Sequence, residues 1–252
     1  LAGGKIYDSA SLIASFQKIN ESRNSRKFGS LNLKSQDEDL RIFSINTDFS
    51  KNLNEINSLA YGFELTNNKL NSTAKNFELV TENNKVIDRS YSKGLSRYPS
   101  DGSEYGSIAA YFEFRKKISS QTNLSIGTRY SLVDISASWD KNFLMDNNLY
   151  SFFRQFEDLN FTNSAITTSI GLSQITNNFN KISINLSSGF RDPNIDDVGK
   201  IRENSGILTV PNAKLKPENA YTIDLGFNRY DKAFSYNFNL YFTLLNRTIG
   251  RD

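Results

Sequence analysis

Apolar side chains recur at every second position in segment after segment of this chain. Phe43, Ile45, Thr47 and Phe49 are separated by Ser44, Asn46 and Asp48. Leu59, Tyr61, Phe63 and Leu65 alternate with Ala60, Gly62 and Glu64, and Ile108, Ala110, Phe112 and Phe114 with Ala109, Tyr111 and Glu113. The same period runs through Leu124 to Leu132, Ile166 to Leu172, Ile182 to Phe190, Tyr221 to Phe227 and Phe234 to Leu244, and more weakly through Leu12, Ala14 and Phe16. A period of two puts all the apolar groups of a strand on one face. The pattern predicts an all-β chain of about nine strands, each near the length that crosses a bilayer at a tilt. One short helical turn at most is expected, around Asn194 to Lys200.

The connections are expected to alternate in length. Ser22–Asp39, Ala74–Gly106, Ser138–Asn160 and Arg191–Asn219 are long; Lys51–Ile56, Ser119–Thr122, Thr176–Phe179 and Arg229–Lys232 are short. A soluble sandwich has no reason for such regularity. An up-and-down transmembrane barrel does, because its turns are tight on one side of the membrane and its loops extended on the other. Gly62, Gly127, Gly171, Gly189 and Gly226 all fall between apolar-face positions, so all five face the lumen. The same parity turns Glu64, Glu113, Arg115, Arg129 and Asp224 inward, away from lipid. Phe49, Phe179 and Phe234 lie beside short turns, where an aromatic girdle belongs.

Composition narrows the function classes. With no histidine and no cysteine, imidazole and thiolate metal sites, disulfides and Ser-His-Asp triads are excluded from this stretch. A net charge of +3 gives no case for nucleic acid. No run approaches about 18 apolar residues, so a transmembrane helix is excluded, whereas a barrel is not. No convergent acid, base and nucleophile set is visible, so no enzyme and no cofactor is expected.

The stretch Gly189-Phe190-Arg191-Asp192-Pro193-Asn194-Ile195-Asp196-Asp197-Val198-Gly199-Lys200, followed by Val210-Pro211-Asn212-Ala213-Lys214-Leu215-Lys216-Pro217-Glu218, resembles the late-barrel signature of TonB-dependent outer-membrane receptors. Glu21-Ser22-Arg23 with Arg26-Lys27-Phe28-Gly29, Tyr61-Gly62-Phe63-Glu64 leading to Asn71-Ser72-Thr73-Ala74, and Arg97-Tyr98-Pro99 are similar to the same family as found in Bacteroidota. The resemblance implies a roughly 22-stranded barrel around a plug. Residues 1–252 are then expected to be a partial barrel, with the plug and the final strands outside them. It also implies active uptake of a scarce ligand, most often an iron complex such as a siderophore or haem. Its implied partners are the TonB–ExbB–ExbD complex, outer-membrane lipid and a small metal chelate. Haem-transporting members carry a histidine between the two boxes, and none stands here, although tyrosine also ligates haem iron. The alternatives are a passive porin, which needs neither proline box, and a β-rich surface binding module.

The loops carry the candidate ligand contacts: Tyr91, Arg97 and Tyr98 in one, and Arg191, Asp192, Asn194, Asp196 and Asp197 in another. Proline donates nothing to a ladder, so Pro193 and Pro217 end strand pairing and set the shape of the mouth. Shaping the mouth and touching ligand are the two readings of these residues.

Overall fold

Backbone pairing runs without interruption from the first strand to the last. The computed structural model describes residues 4–83, 85–146, 158–176, 179–204, 207–212, 214–231 and 234–250. In chain order the elements are β1 (Ser9–Ser25), β2 (Asn32–Asn52), β3 (Asn57–Glu82), β4 (Lys85–Lys93), β5 (Ser103–Lys117), β6 (Thr122–Ala137), α1 (Lys141–Asp146), β7 (Leu159–Ile175), β8 (Asn180–Arg191), α2 (Ile195–Val198), β9 (Arg202–Asn204), β10 (Ile207–Thr209), β11 (Glu218–Tyr230) and β12 (Ser235–Asn246). One antiparallel sheet takes the order β1-β2-β3-β5-β6-β7-β8-β11-β12, each strand beside its successor; β4 joins it through β3, and β9 and β10 form a separate hairpin. This is the all-β, up-and-down wall expected from the period.

Register confirms the two faces. One rung reads Leu59, Phe114, Ile126, Ile170, Leu186, Ile223 and Phe242 across β3, β5, β6, β7, β8, β11 and β12. The adjoining rung reads Ser58, Arg115, Ser125, Gly171, Asn185 and Asp224, which point the other way. From Ile126 to Phe242 the apolar rung stays exposed although it is made of large side chains, while Leu59 and Phe114 are half-buried; the rung is a lipid-facing belt. On the polar face the charges pair with each other: Arg129 donates to Glu64 at 2.5 Å, Arg115 to Glu113 at 2.8 and 2.9 Å, and Tyr111 to Asp48.

The glycines lie on this polar face. A Cβ at Gly127 would sit 2.8 Å from Ser169 Oγ, and one at Gly226 would sit 2.5 Å from Ser183 Oγ. At Gly62 it would overlap the Thr47 carbonyl oxygen as well as the Tyr111 ring. Aromatics gather at the short-turn end: Phe49 stacks on Tyr61 at 5.2 Å, Phe234 on Tyr236 at 6.0 Å, and Arg229 lies over Phe179.

Three features differ from the sequence reading. Much of Ser22–Asp39 and Ala74–Gly106 is strand, since β1 and β2 pair from Ser25 and Lys34 onward and β3 continues to Glu82 against β4. Beyond the lipid both faces are wet, so the apolar period vanishes while backbone pairing continues. A second short helix, α1, stands in Ser138–Asn160, capped by Asp140, which accepts from Phe143 N at 3.1 Å. Within that loop residues 147–157 lie outside the described residues, as do 177–178 and 232 in two of the short turns and Ala213 in the second proline box.

Placing arginine at Ile126, in the middle of the belt, is expected to cost roughly 2–4 kcal/mol. Asn185→Lys, on the polar face beside Asp224, is expected to stay within about 0.5 kcal/mol. Urea titration of the full-length protein in lipid vesicles measures both. Gly62→Ala, which must move the Thr47 backbone, is expected to lose roughly 1–3 kcal/mol in the same assay.

Candidate functional site

On β6 the inner face changes character along the strand. Ser125, Gly127, Arg129 and Ser131 give way to Val133, Ile135 and Ala137. This apolar end is covered by the connection after β4 and by the one after β8. Val133, Ile135, Ala137 and Leu159 pack with Ile195 and Val198 of α2, and Leu70, Tyr98, Tyr105, Phe161, Phe190 and Leu215 border them. Phe190, outward by strict alternation, turns into this cluster at the end of β8. Fully burying a side chain of this size contributes about 1.5–3 kcal/mol, so the cluster is enough to hold both loops against the wall.

Helix α2 is short and over-determined. Asn194 accepts from Asp197 N at 3.0 Å, and the Asp197 carboxylate accepts from Asn194 N at 3.1 Å, a reciprocal capping box. Asp197 also accepts from Arg191 at 2.8 Å, while the other arm of Arg191 reaches Glu218 at 3.2 Å. Arg191 and Glu218 are register partners, so the cation ties α2 to the ends of both strands. Pro193 is fully buried behind the cap.

The two loops are locked to one another. Tyr98 OH donates to Asp196 at 2.6 Å, and the buried Lys200 ammonium donates to both Asp196 oxygens at 2.5 and 2.8 Å. Ile201 N donates to Arg97 O at 2.9 Å, and Tyr98 N to Ser72 Oγ at 3.3 Å. Gly199 fits against Pro99, where a Cβ would stand 3.1 Å from the ring. Burial, together with the bond to Asp196, pushes the Tyr98 hydroxyl pKa well up, so it stays a donor at any ordinary pH.

Beneath this lid lies a recess of about 680 Å³, bounded by Leu40, Leu70, Tyr105, Arg129 and the inner side of the locked loops. Three buried polar atoms of residues on its wall make no hydrogen bond among the described residues: Asn68 Oδ1, Ser103 Oγ and Asp192 Oδ2. They come from β3, β5 and the loop after β8. Asp192 keeps one bond, from Asn163 at 2.8 Å, and burial pushes its pKa up to about 6.

The eight sequence candidates therefore divide. Tyr98, Arg191, Asp192, Asn194 and Asp196 border the recess. Asp197 lies behind them in the cap, and Arg97 stacks over the Tyr98 ring at 5.2 Å. Tyr91 stands apart on β4, 5.8 Å from Phe77 and under Lys75. Lys200, Asn68, Ser72, Ser103 and Asn163 were not singled out from sequence. Lys200 had a local signal, four residues after Asp196; the others meet the site only through strand register.

Tyr98→Phe is expected to cost about 1 kcal/mol of loop closure, roughly fivefold faster amide exchange over residues 94–102 and 192–201. Because Asp192 has a folded pKa above the ordinary carboxylate value, loop stability falls as pH rises from about 4 to about 6 and is flat above that range. Exchange protection of residues 192–201 is expected to follow that curve, and Asp192→Asn to remove it.

The family model described as TonB dependent receptor-like, beta-barrel, matches residues 5–252. Among solved structures the chain is similar to the copper transporter OprC (TM-score 0.69, 11% identity, covering 95% of this chain and 36% of that one). It is also similar to the unliganded ferric citrate transporter FecA (TM-score 0.65, 11% identity, 96% of this chain and 32% of that one). The hemophore receptor HasR of Serratia marcescens gives a TM-score of 0.58 at 10% identity, over 94% of this chain and 40% of that one. No curated protein matches the sequence. The chain thus spans 32–40% of the length of these structures. The chain belongs to the TonB-dependent receptor family through its β-barrel region.

Proposed function

We propose that this chain is the barrel portion of an outer-membrane receptor that takes up a scarce metal complex, an iron complex above all, against its gradient. The observation that carries the reading is the recess under the locked loops. It brings polar and charged residues of β3, β5, β6 and the loop after β8 to one wall at the loop end of the barrel, where a polar ligand or an inserted domain can meet them. Ferric citrate, hemophore and copper specificities among the structural neighbours support a metal complex.

In this mechanism no bond of the ligand is made or broken. Asp192, Asn194, Arg191, Tyr98 and Asp196 stand at the rim of the recess, and ligand contact by them competes with the contacts they make in the lid. Arrival of the ligand then shifts the loops between a closed and an engaged arrangement. Energy comes through a plug from the TonB–ExbB–ExbD complex. The barrel contributes the lipid-facing wall, the lid and the charged inner rungs against which a plug seats.

The test is uptake of a radiolabelled ferric siderophore by cells carrying the full-length receptor, with and without TonB, together with conductance in a planar bilayer. TonB-dependent accumulation that rises under iron limitation, with no ohmic current, is expected. An open ohmic pore and TonB-independent flux would establish the porin reading instead.

A further inference from the structure

We propose a second binding site on the lumenal side of the protruding β1–β2 hairpin, a cleft that takes a soluble chain of linked phosphoryl groups through Arg26, Lys27 and Lys34. Lys34 keeps the inward parity of Ser44, Asn46 and Asp48 along β2. Register sets Ser25, Lys34, Asn76 and Ser92 side by side across β1, β2, β3 and β4. With neighbouring strands about 4.8 Å apart, this row is about 14 Å long. All four residues are exposed. A fixed turn closes one end of the row. Ser30 N donates to Lys27 O at 3.1 Å, Gly29 takes the left-handed φ of 76° between them, and Leu79 N donates to Leu31 O at 2.9 Å. Row and turn border a cleft of about 740 Å³ that shares no residue with the recess under the lid. The site therefore stands whichever metal complex the receptor carries.

Residues 22–36 hold Arg23, Arg26, Lys27 and Lys34 and no carboxylate. Arg23 is held by Glu21 at 2.5 Å, whereas Arg26, Lys27 and Lys34 make no ion pair among the described residues. Glu78, register partner of Asn32, is the acid on the wall, so the cleft carries a net +2 (three minus one). The amides and hydroxyls beside the cations can all donate, and Glu78 alone is an obligate acceptor. Such a wall suits a ligand that only accepts. Phosphoryl oxygens do so, and an arginine fork takes two of them at once. A sugar hydroxyl would ask for acceptors as well. The length of the row favours a chain, because one phosphate fills only an end of it. Phe77 has outward parity and lies under Arg89 at 5.2 Å, so the cleft offers a nucleobase no stacking platform. Lipid is out of reach: Lys34 faces the lumen and stands nine residues, about 30 Å of strand, beyond Phe43 of the belt.

The experiment is isothermal titration of tripolyphosphate into the full-length receptor in maltoside micelles and metal-free buffer. Lys34→Gln is expected to weaken binding about fivefold, and the triple variant Arg26→Gln, Lys27→Gln, Lys34→Gln about a hundredfold. Glu78→Gln is expected to tighten it about threefold, a gain that damage to the fold would not give. A control with the same charge loss on the outward face, Lys18→Gln, Lys69→Gln, Arg89→Gln, is expected to bind as the parent does. Should the triple variant fail to fold, Lys34→Gln and Glu78→Gln decide. Equal binding by parent and cleft variants overturns the proposal, as does an equal loss in the control. Inorganic phosphate binding as tightly as tripolyphosphate overturns the chain, and citrate binding as tightly overturns the phosphoryl assignment.

Discussion

Hydrocarbon offers nothing to a backbone amide. Every N–H and C=O at membrane depth must bond within the protein, and a strand does this only through its neighbours. The sheet order, with each strand beside its successor from β1 to β12, is the consequence. Once strands are paired in this way, alternation sorts each side chain to lipid or lumen, and a slip of one residue would turn the whole Leu59–Phe242 rung inside out. The inward glycines follow from the same condition. Where Gly62 faces the Thr47 backbone and Tyr111, a side chain would force the pairing to shift.

The mouth of the wall obeys different physics. Above the belt both faces of a strand are wet, and order comes from a dry cluster built on the inner face. Val133, Ile135 and Val198 are hidden from water at a level where the outward positions are polar. The proline boxes supply what such a cluster needs. Pro193 ends β8, the capping box of Asn194 and Asp197 starts α2, and Arg191 joins α2 to the end of β11. Residues that read as ligand contacts in the sequence are thus engaged first in closing the lid.

What was legible in the sequence divides along the same boundary. The nine wall strands and the face of every inward glycine follow from a period that lipid imposes. The extension of β3 to Glu82, the β4 pairing and helix α1 left no such trace, because strands wet on both sides need no apolar period and a helix of this length needs little more than a cap. In the site, the Asn194–Asp197 box and the Asp196–Lys200 pair are local and could be read by spacing. Asn68 and Ser103 reach the recess, and Asn163 reaches Asp192, only because β3, β5 and β7 stand in a given register, and no spacing along the chain encodes that.

The seam between β7 and β8 shows how the two regimes meet. Their ladder runs from Ser169–Ser187 down to Ile175–Lys181. Just above it Ser188 Oγ takes the place of a backbone partner, accepting from Thr168 N at 2.8 Å and lying 3.4 Å from Thr168 O. Beyond that point β8 leaves β7, and the separation is bridged by the Asn163–Asp192 bond and by Phe190 turning inward. A continuous ladder there would hold the loop after β8 as rigidly as the wall. A single side-chain bond to a carboxyl that ionises near pH 6 holds it less firmly. The lid is therefore fixed to the barrel on its β11 side through Arg191 and Glu218, and on its β7 side by the apolar packing of Leu159 and Phe161 and the Asn163–Asp192 bond.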